Sequence, residues 1–92
     1  MTARRARHVV VRGRVQGVGF RYATARFAAA EGATGWVRNL ANGDVLVHVE
    51  GDASSVERVE AWLARGPAAA RVDTVVAEDA EVSGCSDFEI RR

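Results

Sequence analysis

The sequence predicts an α+β fold in which two helices cover one face of an antiparallel sheet. Three observations lead to it: two segments with helical periodicity, several short β-branched segments, and their order of β, α, β, β, α, β with a short final strand. Each predicted helix has a single apolar face, and a sheet with both helices on the same side buries both faces. We expect residues 1–7 to form a flexible basic arm and residues 8–92 to form one domain.

The first elements are a strand, a glycine-rich turn and a helix. The strand spans residues 8–14, with Val9 and Val11 on one face. The helix runs from about residue 21 to residue 31, and Gly32 is placed to end it in a left-handed conformation. Apolar residues at helical spacing predict its buried face: Phe20, Ala23, Phe27 and Ala30.

A β-hairpin is predicted in the middle of the chain. Its strands are residues 34–40 and 44–50, and Asn42-Gly43 between them is typical of a hairpin turn. The second strand alternates, which gives a core face and an outer, solvated face. The core face carries Val45, Val47 and Val49, and the outer face carries Leu46, His48 and Glu50.

The second helix has two alternative start signals. Asp52 is a candidate N-cap residue, and Ser54 with Glu57 also fits a capping box. Gly66-Pro67 ends the helix. Its apolar stripe and one flanking aromatic are Val56, Val59, Leu63 and Trp62.

Two more strands complete the predicted fold. One runs from about residue 71 to residue 77, and a short one covers residues 87–91. The resulting order, βαββαβ plus a C-terminal strand, is the split βαβ or ferredoxin-like arrangement.

The residues between the first strand and the first helix have the composition of an anion site. Gly13, Gly17 and Gly19 allow positive φ angles, which can turn successive N–H groups towards one oxyanion. The first N–H groups of the helix lack intrahelical partners, and Arg21 adds a permanently charged fork. A dinucleotide fingerprint is excluded because Tyr22 stands where a third glycine is needed, and a Walker loop is excluded because the chain contains no lysine. From spacing alone, a phosphate site and a merely tight connection remain equally open.

Two blocks of the sequence resemble the signatures of acylphosphatases. They are Gly13-Arg14-Val15-Gln16-Gly17-Val18-Gly19-Phe20-Arg21 and Gly35-Trp36-Val37-Arg38-Asn39. Their separation is similar to that in the family, and the likeness extends from residue 8 to residue 91. The resemblance implies the fold predicted above. It also implies an enzyme that hydrolyses the carboxyl–phosphate bond of small acyl phosphates to a carboxylate and inorganic phosphate.

The same resemblance implies roles for individual residues. Arg21 would bind the phosphate through two hydrogen bonds, and Asn39 would hold the attacking water through its side-chain amide. Two positions depart from the family, because Leu40 stands where some members have threonine and Tyr22 where many have a basic residue. Neither departure removes a group assigned to the chemistry. The implied phosphate cradle consists of the backbone amides of Gln16, Gly17, Val18, Gly19, Phe20 and Arg21.

The chemistry of an acyl phosphate fits the small set of polar groups in the sequence. Its leaving group is a carboxylate whose conjugate acid has a pKa of about 4, so a strong general acid is not needed. Phosphoryl transfer then depends mostly on placement and electrostatics. The sequence shows no paired carboxylates at a plausible position and no metal-ligand motif. We therefore expect no metal and no cofactor, with inorganic phosphate as product and inhibitor.

Composition bears on the remaining functional classes. A net charge of +1 gives no field strong enough to imply nucleic acid, and no run of roughly 18 apolar residues could span a membrane. The single Cys85 agrees with a reducing compartment, so we expect a cytoplasmic location. A small domain of mixed charge with no obvious apolar surface patch is expected to be a monomer. A non-catalytic anion-binding domain and an RNA-binding module are the alternatives. Against the latter, the first and third strands lack the Phe, Tyr or Trp residues on which RNA bases stack.

Cys85 and Arg91 have the Cys-x5-Arg spacing of cysteine-dependent phosphatases. The residues between them alternate like a strand and include two carboxylates, which would repel phosphate. We therefore predict that Cys85 is an ordinary loop residue. His8 and His48 are predicted to be strand histidines without a catalytic role.

Overall fold

The computed structural model describes residues 3–92 as five strands and two helices. The elements follow one another as β1, α1, β2, β3, α2, β4 and β5, which confirms the predicted ferredoxin-like order. Neither helix has the length and apolarity that crossing a bilayer requires. The bounds are β1 Arg4–Arg14, α1 Phe20–Ala30, β2 Thr34–Asn39, β3 Val45–Asp52, α2 Ala53–Leu63, β4 Arg71–Ala80 and β5 Phe88–Arg91.

The strands form one sheet in the order β4-β1-β3-β2-β5. The first four are antiparallel neighbours, as predicted, whereas the short β5 lies parallel to β2 and makes the sheet mixed. The cause is the short connection of residues 81–87, which crosses from one edge of the sheet to the other. It brings β5 back in the opposite direction to β4, and this is the direction of β2.

The hydrophobic core lies between the sheet and the two helices. Helix α2 begins after Asp52, as predicted, although the Asp52 side chain makes no capping hydrogen bond. The predicted apolar stripe of this helix is confirmed, because Val56, Val59 and Leu63 are buried. The strands contribute fully buried valines, namely Val9, Val11, Val37, Val45, Val47 and Val49.

The buried face of helix α1 matches the prediction only in part. Phe20 is buried and Phe27 packs against the core, as predicted. The buried residues of this helix are Phe20, Thr24 and Ala28, whereas Ala30 is exposed. Thr24 can be buried because its hydroxyl donates a hydrogen bond of 2.8 Å to the carbonyl oxygen of Phe20. The apolar pattern missed Thr24 because a threonine counts as polar in it.

Strand β1 begins earlier than predicted. Met1 and Thr2 of the expected flexible arm lie outside the described residues, but Arg4–Arg7 are paired with β3, and β4 joins from Ala6 onwards. Arg7 binds one carboxylate of α2 and one of β4, through Nε–Oε1 of Glu60 at 2.6 Å and Nη1–Oδ1 of Asp79 at 2.9 Å. The basic residues that suggested a solvated arm are therefore partners of acidic groups on neighbouring elements.

The face of the sheet opposite the helices carries a buried carboxylate. Glu50 is 0% exposed and His48 is 3% exposed, because the β4–β5 connection crosses over them, so their predicted solvation is wrong. Glu50 Oε2 accepts hydrogen bonds from His48 Nε2 at 2.6 Å and from the Ser83 backbone and hydroxyl at 2.7 and 2.6 Å. Its other oxygen accepts from the N–H groups of Gly84 and Cys85 at 3.1 and 3.3 Å. Burial raises the pKa of Glu50, but the hydrogen bonds from His48, Ser83 and Cys85 outweigh it and lower the pKa to about 2.

Candidate active site

The segment between β1 and α1 forms an open cradle of backbone N–H groups. Gly17 and Gly19 have φ angles of 75° and 78°, in the left-handed region that glycine adopts without strain. Gly19 is the N-cap residue of α1, and because glycine has no side chain, no side-chain hydrogen bond caps the helix there. Within residues 3–92, no N–H group from Gln16 to Arg21 donates to another backbone group. Free N–H groups and the positive end of the helix dipole make this segment suitable for a tetrahedral oxyanion.

A cavity of about 180 Å³ lies over the cradle. It brings together Arg21 and Asn39, which belong to different elements. Four of the six predicted phosphate-binding residues line it, whereas Gln16 and Val18 do not. Val18 packs against the hydrophobic core instead. The full lining is Val15, Gly17, Gly19, Phe20, Arg21, Tyr22, Asn39 and Ile90.

Gln16 connects the cradle to the β2–β3 hairpin. Its side-chain Nε2 donates to the carbonyl oxygens of Leu40 at 2.8 Å and Asp44 at 2.9 Å. The Asp44 carboxylate is held in turn by Arg12, with Nε–Oδ2 at 3.1 Å. These bonds hold the end of β2, and therefore Asn39, beside the loop. No sequence pattern indicates this role, because both acceptors are main-chain atoms far along the chain.

Strand β5 orients the guanidinium of Arg21. Arg21 Nη1 donates a hydrogen bond of 2.8 Å to the carbonyl oxygen of Arg91. This acceptor is neutral, and no carboxylate of residues 3–92 forms an ion pair with Arg21. The positive charge at the cavity is therefore available to an anion. Sequence reasoning missed Arg91 because its contribution comes from the main chain.

Asn39 presents a hydrogen-bond acceptor that has no partner. Its Oδ1 atom is buried and makes no hydrogen bond within the described part of the chain. Buried acceptors are nearly always satisfied, so an unpartnered one is an exception, and it belongs to a residue that lines the cavity. Gly35, in the same sequence block as Asn39, has to be glycine, because a Cβ atom at this position would collide with the carbonyl oxygen of His48 on β3.

A row of planar side chains lies on the face of the sheet opposite the helices, here called the open face, and it supports β5. The ring centroids of His8 and His48 are 4.9 Å apart, and those of His48 and Trp36 are 5.6 Å apart. The guanidinium of Arg91 continues the row at 4.9 Å from the Trp36 ring. The side chain of Arg91 is thus held on one face of the sheet while its carbonyl oxygen orients Arg21 at the cavity.

A second cluster of polar groups lies on the open face and is separate from the cavity. His48, Glu50 and Cys85 bring potential metal-ligand atoms within 4.8 Å of one another, but none of them lines the cavity. The oxygens of Glu50 already accept several hydrogen bonds. No helix begins at Cys85, and the Arg91 side chain is stacked on Trp36, so the Cys-x5-Arg spacing does not form a phosphate cradle.

Known proteins resemble this chain over almost its whole length. The Acylphosphatase family model matches residues 7–90. An acylphosphatase of Methylococcus capsulatus is 51% identical over 86 residues, covering 92% of this chain and 94% of that protein. One from Pseudomonas paraeruginosa is 47% identical over 90 residues, covering 98% and 99%. Among solved structures, an acylphosphatase from Coxiella burnetii has a TM-score of 0.92 and 40% identity, covering 96% of this chain and 93% of that one.

Proposed function

Because the chain belongs to the acylphosphatase family, we propose that it hydrolyses the carboxyl–phosphate bond of small acyl phosphates. The products are a carboxylate and inorganic phosphate. The observation that carries this proposal is that Arg21, Asn39 and the glycines of the cradle, Gly17 and Gly19, line one and the same cavity. It combines a site for a phosphoryl group with a site for a nucleophilic water.

The phosphoryl group binds to the backbone N–H groups of residues 16–21. Their lack of other backbone partners within residues 3–92 supports this assignment. Arg21 binds the same group through its guanidinium, with which no carboxylate of residues 3–92 forms an ion pair, and stabilises the charge on the phosphoryl oxygens in the transition state. Preorganised donors of this kind are effective because they need no reorganisation during the reaction.

The attacking water is held by the side-chain amide of Asn39, a residue that lines the cavity and whose amide can both donate and accept a hydrogen bond. The water oxygen attacks phosphorus opposite the leaving group, and the bond between phosphorus and the acyl oxygen breaks. Its electron pair leaves with the carboxylate, which needs no proton at neutral pH. The amide is too weak a base to deprotonate water, so one water proton passes to a phosphoryl oxygen and the other stays on the attacking oxygen. The phosphate product then ionises in solvent.

The reaction is proposed to be independent of metal ions. The side chains that line the cavity include no carboxylate, imidazole or thiol, and these are the groups that usually bind catalytic metals. The charge that a metal would supply comes from Arg21 and the N–H groups.

Hydrolysis of benzoyl phosphate in the presence of EDTA, followed by ultraviolet absorbance, tests the proposal. We expect turnover that EDTA does not reduce and that inorganic phosphate inhibits competitively. Arg21→Ala should lose most of this turnover, whereas the matched control Arg65→Ala should keep it, since Arg65 is exposed and lies outside the cavity. Phosphate binding without turnover would favour the non-catalytic anion-binding alternative, and the absence of both would refute the proposed site.

A further inference from the structure

A groove of about 380 Å³ adjoins the candidate active site on the surface of the two helices. Tyr22 lines both the groove and the cavity, so the two spaces are neighbours. The cavity alone, at about 180 Å³, is below the roughly 300 Å³ typical of small-molecule sites. An acyl phosphate with a bulky acyl group therefore has little room within the cavity alone, and the adjoining groove offers space for that group. The groove is lined by Tyr22, Ala23, Arg26, Phe27 and Trp62.

The walls of the groove are aromatic, and two of its rings are held in place. Phe27 and Trp62 are stacked, with centroids 5.2 Å apart and planes 13° from parallel. Trp62 also contacts the core residue Phe20, at 5.9 Å between centroids. Tyr22 stands at the junction with the cavity and is 61% exposed, so its ring is not used by the core. Flat apolar groups pack well on such rings.

The groove also contains a positive charge without an acidic partner. Arg26 is exposed, no acidic side chain lines the groove, and Arg26 makes no ion pair within residues 3–92. Its guanidinium lies 5.8 Å from the centroid of the ring of Tyr22, a residue that is one helical turn nearer the cradle in sequence. Side chains on a helix lean towards its N-terminus, which explains this direction.

We propose that the groove is the subsite for the acyl group, and that it favours acyl groups with a flat apolar body and a second anionic group at the far end. This inference rests on the proposed function. With the phosphoryl group in the cradle and the water held by Asn39 behind it, the acyl group extends outwards over Tyr22. Gly19, the N-cap residue of α1, and Arg26 are seven residues apart, an axial rise of about 10 Å, and the Arg26 guanidinium reaches back over the Tyr22 ring. An acyl group that lies on Tyr22 therefore brings a second anionic group at its far end towards Arg26.

The test measures kcat/KM of the wild type and of Arg26→Gln on three substrates: acetyl phosphate, benzoyl phosphate and 4-carboxybenzoyl phosphate. The substitution should lower kcat/KM for 4-carboxybenzoyl phosphate about threefold to fivefold, the size expected for an exposed ion pair. The rate on acetyl phosphate should not change. The matched control is Arg65→Gln, which removes the same charge. Arg65 does not line this groove, but lines a neighbouring one on the helical face. The quantity to compare between the wild type and each variant is the ratio of kcat/KM for 4-carboxybenzoyl phosphate to kcat/KM for benzoyl phosphate. The difference in intrinsic reactivity between the two substrates contributes equally to this ratio in every enzyme and therefore cancels.

The ratio for wild type should also fall as salt screens the Arg26 charge. If Arg26→Gln and Arg65→Gln give the wild-type ratio, the subsite is refuted while acyl phosphate hydrolysis stands. If wild type hydrolyses none of the three substrates, the proposed function itself is refuted.

Discussion

Replacement of Glu50 by glutamine tests whether one buried carboxylate holds the β4–β5 connection on the sheet. The pKa of Glu50 falls from its ordinary value of 4.5 to about 2, mainly through hydrogen bonds from His48 and Ser83 acting against burial. A difference of this size corresponds to about 3 kcal/mol of folding stability at neutral pH. Glutamine has the same shape, but its NH₂ group would face N–H donors of the connection. We therefore expect Glu50→Gln to lower the free energy of unfolding by about 3 kcal/mol, which leaves most domains of this size folded.

The pH dependence gives the sharper measurement. Because the folded pKa is depressed, the stabilisation is present above pH 4.5 and is lost as the pH falls towards 2. Urea denaturation should show a gap between wild type and Glu50→Gln that is full at pH 7, narrows below pH 4.5 and almost vanishes near pH 2. Glu78→Gln, at an exposed position of β4, is the matched control and should show little gap at any pH. A Glu50→Gln gap below about 1 kcal/mol, or one that does not change with pH, would refute the reasoning.

Three further substitutions test the candidate active site. Arg21→Ala should lower kcat/KM at least about 100-fold and weaken inhibition by phosphate, as removal of an oxyanion donor does, and a near-normal rate would contradict its role. Asn39→Ala should lower kcat while the inhibition constant of inorganic phosphate stays almost unchanged, because the amide holds water; a large loss of phosphate affinity would count against this. Gln16→Ala removes two hydrogen bonds to the β2–β3 hairpin and should lower both kcat and the free energy of unfolding, the latter by about 1–3 kcal/mol in urea titrations. An unchanged free energy of unfolding in that variant would show that the two hydrogen bonds of Gln16 do not stabilise the fold.

Local patterns predicted most of the fold. The valine alternation of β3, the stripe of α2 and the turn at Asn42-Gly43 are determined by neighbours in sequence, and the structure confirms them. The family was identified from two blocks that the Acylphosphatase model includes in its match. The roles of Arg21 and Asn39 stay predictions, although the structure places both residues at one cavity.

The errors arose where distant segments decide the environment. His48 and Glu50 alternate like solvated residues, and only the connection that crosses over them makes them buried. The residues of β1 before His8 look like a solvated arm until strands on both sides supply hydrogen bonds. The contact between Arg21 and the Arg91 carbonyl involves no recognisable side chain of the acceptor. Such contacts depend on tertiary structure, which periodicity does not encode.

The hydrogen bond from Arg21 to Arg91 joins residues 70 positions apart. Closing so long a loop costs chain entropy, and contacts of this kind slow folding. A folding intermediate that contained only β1, α1 and the hairpin would have the cradle but not the acceptor that orients its arginine. If Arg21 acts as proposed, we expect turnover to recover during refolding only when β5 docks, later than the collapse of the valine core.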